Sequence, residues 1–356
     1  MNDINFTNDN RDYLWKRRIY IQLTIRSDCL ATRPSQKPGN IDTSRESTFI
    51  GGPPKSSFST TARKSVYPIV KLGERTTYNP ERHVDCPGVI IKAQPLISRD
   101  GRSITPLFRQ ICDEGGIHNH LDFDGYVILS SIMPDRAIAG LTDELYAEVI
   151  DAIGVNTYIT PDGETYLGET VLSAYEVFRV LDLTESLLKL CPTIPPVGLV
   201  KGCTLEQIRY HATSLQDLGV ERYCFHMGDF FRGSHATIDV GMKFASTIRT
   251  IVPELIIYGV GSRRYINALR FADGFATQSH YVKAFYGYKY GGAGWVRAPR
   301  RVITRDLIMY NLSGIDRIVA DLAYQHELDL SSGAEGNRAY HVSTNEQPIE
   351  NSCIQK

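Results

Sequence analysis

Short apolar stretches alternate with longer amphipathic stretches along most of this chain, from residue 87 to residue 328. The apolar stretches have the length and side-chain types of buried strands, whereas the stretches between them repeat their apolar positions with the period of a helix. The predicted strands are 87–97, 125–132, 155–160, 197–201, 222–227, 255–259 and 273–277. This alternation predicts a parallel sheet whose strands are joined by crossover helices.

Helices are predicted between these strands and after the last one. They span Thr105–Cys112, Thr142–Ile153, Glu169–Leu190, Thr204–Leu218, Thr237–Ile251, Arg263–Arg270 and Thr304–Leu328. One more strand, from 17–25 or from after Ala298, would complete the eight that close a barrel. We therefore predict an α/β fold, a (β/α)8 TIM-type barrel with an irregular, β-containing N-terminal extension. An open doubly wound sheet is the alternative, but no GxGxxG motif follows an early strand.

Composition divides the chain into three parts. Residues 1–85 are predicted to be an N-terminal extension, because a segment rich in Ser, Thr, Pro, Gly and Arg near 32–64 is typical of a partly disordered loop. Residues 86–330 form the predicted barrel. The polar residues 331–356 are expected to be a loose tail.

Charge and cysteine usage narrow the function classes. The chain has 39 Lys and Arg against 40 Asp and Glu, so its net charge does not by itself favour binding to a polyanion such as a nucleic acid. No apolar run reaches the roughly 18 residues of a membrane span, and the N-terminus lacks the apolar core of a secretory signal. Seven scattered cysteines without a CxxC pair favour reduced thiols in the cytoplasm and argue against a zinc ribbon. No metal and no external cofactor are expected.

Polar and glycine-rich loops follow the predicted strands, where parallel sheets place their chemistry. Asp162 and Asp273 are the candidate catalytic carboxylates, since two carboxylates facing each other across a barrel mouth suit displacement at a sugar carbon. Either carboxylate could instead cap a turn. The candidate substrate-binding residues are Lys201, Gly202, His226, Gly228, Asp229, Gly259 and Gly261.

Three of these candidates have alternative interpretations. His226 could be a general acid or base, or a histidine of the core. Asp229 could bind the polar edge of a base, or cap the turn that follows it. The loop from Gly259 to Ser262 could hold a phosphate at a helix N-terminus, or be a tight turn.

Residues 274–305 combine basic and aromatic side chains without a single Asp or Glu. The segment holds six Lys and Arg residues and seven aromatic residues. Such a mixture is typical of nucleic-acid surfaces, where cations meet phosphates and rings stack on unpaired bases. The alternative is a Tyr-rich loop with solvated lysines. The candidate nucleic-acid-binding residues are Lys283, Tyr286, Tyr288, Lys289, Trp295, Arg297, Arg300 and Arg301.

The order of loops from Val155 to Ser279 resembles the catalytic half of the tRNA-guanine transglycosylase superfamily. The matching segments are Pro161-Asp162, Val200-Lys201-Gly202, His226-Met227-Gly228, Ile257-Tyr258-Gly259-Val260-Gly261 and Ala272-Asp273-Gly274-Phe275. Several family features are absent: Ala276 stands where the attacking Asp is found, Lys201 replaces a glutamine, and the C-terminal zinc-binding cysteines are missing. These differences make the chain most similar to the DpdA-like branch, which modifies DNA.

The resemblance implies a modified barrel that replaces guanine in a nucleic acid, DNA rather than tRNA, with a free 7-deazaguanine such as preQ0. It implies that Asp273 attacks the sugar and forms a covalent glycosyl intermediate. Asp162 would hold the purine edge, and Gly202, His226 and Gly228 would line the base pocket. Two alternatives stay open: a barrel enzyme acting on a small phosphorylated metabolite, and an inactive barrel that binds nucleic acid. A homodimer is compatible with each of these functions.

Overall fold

A computed structural model of the chain describes residues 64–72, 86–291, 294–299 and 304–331. Eight parallel strands of this part form a closed barrel in chain order, with the last strand paired to the first. The strands are β1 (Ser65–Val70), β2 (Gly88–Lys92), β3 (Tyr126–Ser130), β4 (Thr157–Ile159), β5 (Pro196–Leu199), β6 (Arg222–His226), β7 (Glu254–Tyr258) and β8 (Gly274–Thr277). The predicted (β/α)8 barrel is confirmed, and the open sheet is excluded.

Ten α-helices of the described part surround or follow the barrel. They are α1 (Pro106–Asp113), α2 (Ile117–Leu121), α3 (Asp135–Gly140), α4 (Asp143–Ile153), α5 (Thr170–Leu190), α6 (Leu205–Asp217), α7 (His235–Arg249), α8 (Arg263–Ala268), α9 (Ser279–Phe285) and α10 (Thr304–Ser331). A short 3₁₀ helix, Phe230–Arg232, precedes α7. Side-chain hydroxyls of Thr105, Thr142 and Thr204 accept backbone N–H groups at the starts of α1, α4 and α6, which explains why these helices begin where the sequence predicts.

Both faces of the strands are apolar because one faces the barrel interior and the other faces the helices. In β2, Ile90 belongs to the interior cluster, whereas Val89 and Ile91 pack under the outer helices. Successive strand residues point to opposite sides, so a continuous apolar run fills both layers. Both clusters are closely packed, and this packing holds the carboxyl ends of the strands in a fixed ring.

The first barrel strand differs from the prediction. β1 lies inside the predicted N-terminal extension of residues 1–85, and it pairs with β8 on one side and with β2 on the other. Neither predicted source supplies the eighth strand, because 17–25 lies outside the described residues and α10 follows Ala298. The strand contains Pro68 and follows a Ser- and Thr-rich stretch, so its local strand signal is weak.

A β-hairpin follows the barrel and was not predicted. Its antiparallel strands are β9 (Tyr288–Gly291) and β10 (Gly294–Arg297). Tyr290 of β9 is buried, and its ring meets Trp295 edge-to-face at 4.7 Å between centroids. The hairpin therefore packs on the barrel rather than extending from it. None of the helices in the described ranges combines the length and the apolar character needed to cross a membrane.

Candidate functional site

The two candidate catalytic carboxylates lie at opposite ends of the barrel. Asp162 comes after β4 and is therefore at the carboxyl end, whereas Asp273 comes immediately before β8 and is at the amino end. Parallel strands point the same way, and each residue advances the chain by roughly 3.3 Å. The prediction that Asp162 and Asp273 meet over one nucleotide is wrong, and Asp273 lies at the end of the barrel opposite to Asp162.

Asp273 instead joins elements at the amino end. Its Oδ2 accepts the backbone N–H of Leu255 at 2.8 Å, and its Oδ1 lies 3.6 Å from Nη2 of Arg249. Lys64, next to this ion pair, donates to the carbonyl oxygen of Ala272 at 2.8 Å. These bonds link β7, β8, α7 and the start of β1. The amino end of such a barrel commonly contributes stability rather than chemistry.

At the carboxyl end, Asp162 forms an ion pair with Lys201. Nζ of Lys201 lies 2.8 Å from Oδ1 of Asp162, and both side chains are largely buried. The same Oδ1 accepts the backbone N–H of Gly163 at 2.8 Å. Oδ2 has no hydrogen-bond partner in the described part of the chain. One oxygen of the carboxylate is thus held in place, and the other is free to meet a ligand.

A cleft of about 380 Å³ opens beside this ion pair. It contains five of the predicted site residues, which the barrel brings together from the loops after β4, β5 and β6. The described residues around it are Ile132, Met133, Asp135, Asp162, Gly163, Glu164, Thr165, Tyr166, Leu167, Val200, Lys201, Gly202, Phe225, His226, Asp229, Phe230 and Thr237. Apolar walls with a few converging polar groups are typical of a small-molecule or nucleobase site.

His226 is held as a neutral imidazole at the side of the cleft. Burial lowers the pKa of His226, and the nearby Lys201 ammonium lowers it further. Its ring packs edge-on against Tyr258 at 5.3 Å between centroids, while Asp229 lies 3.9 Å from its Nδ1 and is mostly exposed. A neutral histidine can donate from one ring nitrogen and accept at the other. This suits contact with the edge of a base.

Glu164 is a site residue that was not selected from the sequence. Burial raises the pKa of Glu164, and the carboxylates of Asp135 and Glu176 raise it further. A carboxyl group with a raised pKa can carry a proton that it gives to a ligand. Its only sequence signal was its place in the polar turn Pro161-Asp162-Gly163-Glu164, and its neighbours Asp135 and Glu176 come from distant parts of the chain.

Two outer helices position the ion pair. In α5, Arg179 is paired with the buried Glu176 at 2.8 Å and donates to the carbonyl oxygen of Asp162 at 3.2 Å. In α6, Nδ1 of His211 accepts the backbone N–H of Lys201 at 2.9 Å. Burial lowers the pKa of His211 to about 4, so its acceptor nitrogen stays unprotonated near neutral pH. The backbone on both sides of the cleft floor is therefore held by side chains.

The predicted glycine sites have different roles. Gly202 lies on the cleft. Gly228 and Gly259 pack against each other: a Cβ on Gly259 would lie 2.9 Å from the Cα of Gly228. A Cβ on Gly261 would lie 1.8 Å from Oγ of Ser279, so this loop packs closely against the start of α9. Gly228, Gly259 and Gly261 thus allow loops to approach one another, and the tight-turn interpretation of Gly259–Ser262 fits better.

The predicted nucleic-acid-binding residues form a cluster around the hairpin, which we call the hairpin patch. Lys283 lies over the rings of Tyr288 and Trp295, at 5.6 and 6.0 Å. Arg297 lies 5.2 Å from the Tyr288 ring centre. The patch consists of Lys283, Tyr286, Tyr288, Lys289, Trp295 and Arg297. Tyr286 is 63% exposed, and the neighbouring Phe285 is 68% exposed. Arg300 and Arg301 lie outside the described residues.

Within the described ranges, no three His, Cys, Asp or Glu side chains are grouped so that they could hold a metal ion. The five cysteines there, Cys86, Cys112, Cys191, Cys203 and Cys224, are free thiols.

These features define the molecule as a (β/α)8 barrel with a polar cleft at the carboxyl ends of its strands. Compared with known proteins, the sequence matches no family model, and no curated protein matches it. The similarity to the transglycosylases therefore stays a prediction from the motifs. A functional proposal has to rest on the geometry of the cleft.

Proposed function

We propose that the chain is a base-exchange transglycosylase that replaces a purine base in a nucleic acid, DNA rather than tRNA, with a free 7-deazaguanine. The observation that carries this proposal is the ion-paired Asp162 carboxylate with one free oxygen on the floor of the cleft. Displacement at a sugar carbon requires a carboxylate that attacks and a second carboxyl group that protonates the leaving base, and Glu164 lines the same cleft as Asp162.

In this reaction Asp162 takes the part that the resemblance assigned to Asp273. Oδ2 of Asp162 attacks C1′ as the bond from C1′ to N9 of guanine breaks, and Glu164 gives its proton to the departing base. The resulting ester keeps the glycosidic carbon activated. N9 of the incoming 7-deazaguanine then attacks C1′, the ester bond breaks, and the N9 proton returns to Glu164. No oxidant or reductant is needed.

The remaining cleft residues hold the reactants. Lys201 orients Asp162 through the 2.8 Å ion pair and leaves its second oxygen free. His226 and Gly202 lie where they can meet the polar edge of the base. The apolar side chains of Met133 and Phe230 offer flat contact area to a heteroaromatic ring.

Two observations favour a nucleic acid over a small metabolite. The hairpin patch offers cations and exposed rings, which suit phosphates and unpaired bases. The second is the tight packing of the Gly259–Ser262 loop, where Gly261 lies against Ser279 and the Ser262 hydroxyl accepts the N–H of Tyr265 at the start of α8. This packing fits a tight turn better than a loop that holds the phosphate of a small metabolite.

The test is a label-exchange assay with radioactive guanine and preQ0 on DNA and on tRNA. We expect incorporation into DNA by the wild-type protein and none by Asp162→Asn, because the amide cannot attack C1′. Asp273→Asn is the matched control: it should be less stable to urea but should keep the exchange activity, because Asp273 lies at the other end of the barrel.

Exchange by Asp162→Asn, or its loss in a folded Asp273→Asn protein, would overturn the assignment of the nucleophile. A wild-type protein that binds DNA and incorporates no base into either polymer would instead support the alternative of a binding barrel without activity.

A further inference from the structure

Lys92 lies at the carboxyl end of the barrel, outside the set of residues used above. It is the last residue of β2 and pairs in register with Ser130 of β3. Its side chain is partly buried. In the described part of the chain the only polar partner of its Nζ is the amide oxygen of Gln278, at 3.3 Å. No described carboxylate neutralises this ammonium group.

The groups around Lys92 are mainly cationic. Burial lowers the pKa of Lys92, and Arg232 and Lys71 lower it further. Lys92 ends β2 and its Nζ bonds to Gln278, which follows β8, so it lies at the same end of the barrel as the cleft. Asp162 is paired with Lys201, and Asp229 lies 3.6 Å from Arg232. Both carboxylates thus have cationic partners of their own, and neither is bonded to Lys92.

A partly buried ammonium without a counter-ion is unfavourable, because it gives up hydration without gaining a charge partner. An anionic ligand supplies that partner. Gln278 follows β8 and offers amide N–H donors next to the ammonium, so the pair provides the charge and the hydrogen bonds that phosphate oxygens accept.

We propose that Lys92 and Gln278 form a subsite for the phosphate group attached to the purine nucleoside in the cleft. The proposal rests on the proposed function, because it assigns the phosphate to a nucleotide whose base lies in the cleft at the same end of the barrel. A backbone phosphate of a nucleic acid and the phosphate of a free nucleotide share this chemistry.

The experiment measures the binding of guanosine 5′-monophosphate, guanosine and inorganic pyrophosphate by calorimetry. The wild-type protein should bind the monophosphate at least about tenfold more tightly than guanosine, the effect of one charge-assisted hydrogen bond. Lys92→Met should remove this difference while leaving guanosine binding unchanged. Lys189→Met is the matched control, since Lys189 is 73% exposed and paired with Glu185 on α5; it should bind like the wild type.

Lys92→Met should also be at least as stable to urea as the wild type, because a methyl group replaces an uncompensated charge. Should this variant fail to fold, Gln278→Ala tests the same subsite and should reduce the monophosphate preference. Three results would overturn the subsite. The wild-type protein could bind the monophosphate and guanosine equally, the folded variants could keep the preference for the monophosphate, or the wild-type protein could bind none of the three ligands. Pyrophosphate binding that requires Lys92, without guanosine binding, would support the subsite and reject the proposed function.

Discussion

The two oxygens of the Asp162 carboxylate have different surroundings. Oδ1 accepts from Lys201 and from Gly163, whereas Oδ2 has no described partner. A largely buried ion pair of this kind contributes little net stability, because desolvation offsets the attraction between its charges. Its effect is orientation: Oδ1 of the carboxylate is held by Lys201 and Gly163, and Oδ2 is left without a described partner. Replacing Lys201 by an uncharged residue would leave the Asp162 carboxylate without its charge partner, so it should lower the stability of the fold and free the orientation of the carboxylate.

Gly259 is the residue at which we expect the clearest backbone effect. Its φ is +92°, and an added Cβ would lie 2.9 Å from the backbone of Gly228. Gly259→Ala should therefore cost about 1 kcal/mol for the left-handed backbone and a further 1–3 kcal/mol for the collision. Because the collision moves Gly228 against His226, purine binding should weaken as well. Urea unfolding and ligand titration measure the two effects.

Gly219→Ala is the matched control for this substitution. Its φ is +85°, yet a Cβ there would meet nothing within 4 Å. Gly219→Ala should therefore lose only the roughly 1 kcal/mol of stability that the left-handed backbone costs, and its ligand binding should equal that of the wild type. Equal destabilisation by the two substitutions would show that the contact between Gly228 and Gly259 does not constrain the loop.

At the scale of elements, one buried side chain connects the hairpin to the helices around it. Asn311 of α10 is fully buried; its Oδ1 accepts the N–H of Tyr290, and its Nδ2 donates to the carbonyl oxygens of His280 and Tyr288. These bonds join α9, β9 and α10. The hairpin patch consequently depends on α10 for its position, although the two are separate in the sequence.

Asn311→Leu should destabilise the protein by about 3 kcal/mol or more, because it removes three hydrogen bonds made by a fully buried side chain. It should also weaken the binding of single-stranded DNA at low salt, since the hairpin patch loses its support. Asn267→Leu is the control, because Asn267 is exposed on α8, and it should change neither property. Chemical unfolding and fluorescence anisotropy provide the measurements, and wild-type DNA binding by Asn311→Leu would contradict the coupling.

At the scale of the whole molecule, the barrel buries two histidines whose neutral form the fold requires. His211 and His280 are almost fully buried, and burial lowers the pKa of each from 6.5 to about 4. Between pH 6.5 and pH 4 the unfolded chain binds protons that the folded chain does not. Stability is therefore unaffected by these groups above pH 6.5 and falls as the pH drops through this window.

Each histidine should lower the free energy of unfolding by about 2–3 kcal/mol between pH 7 and pH 4.5. His280→Gln removes one of these histidines. Between pH 7 and pH 4.5 the free energy of unfolding of this variant should therefore fall by about 2–3 kcal/mol less than that of the wild type. His235→Gln, on the exposed side of α7, should follow the wild type. Urea unfolding at the two pH values tests this, and parallel losses in wild type and His280→Gln would contradict it.

Most of the barrel could be predicted from local pattern, whereas part of the site could not. Each strand from β2 to β8 is an apolar run between turn residues, so its signal is complete within a few positions. β1 was missed because Ser65–Val70 contains Pro68 and follows a Ser- and Thr-rich stretch. Glu164 was missed because its raised pKa depends on Asp135 and Glu176, which lie far away in the sequence.

The amino-acid sequence by itself determined the alternation of strands and helices, and with it the closed barrel and the placing of Lys201, Gly202 and His226 at its mouth, because apolar periodicity is a local property. Only the tertiary structure decided which carboxylates share a site. Asp162 and Asp273 both lie beside a strand, but one follows its strand and the other precedes it. In a parallel barrel that difference places them at opposite ends, and it brings Lys92 and Gln278 to the end where Asp162 lies.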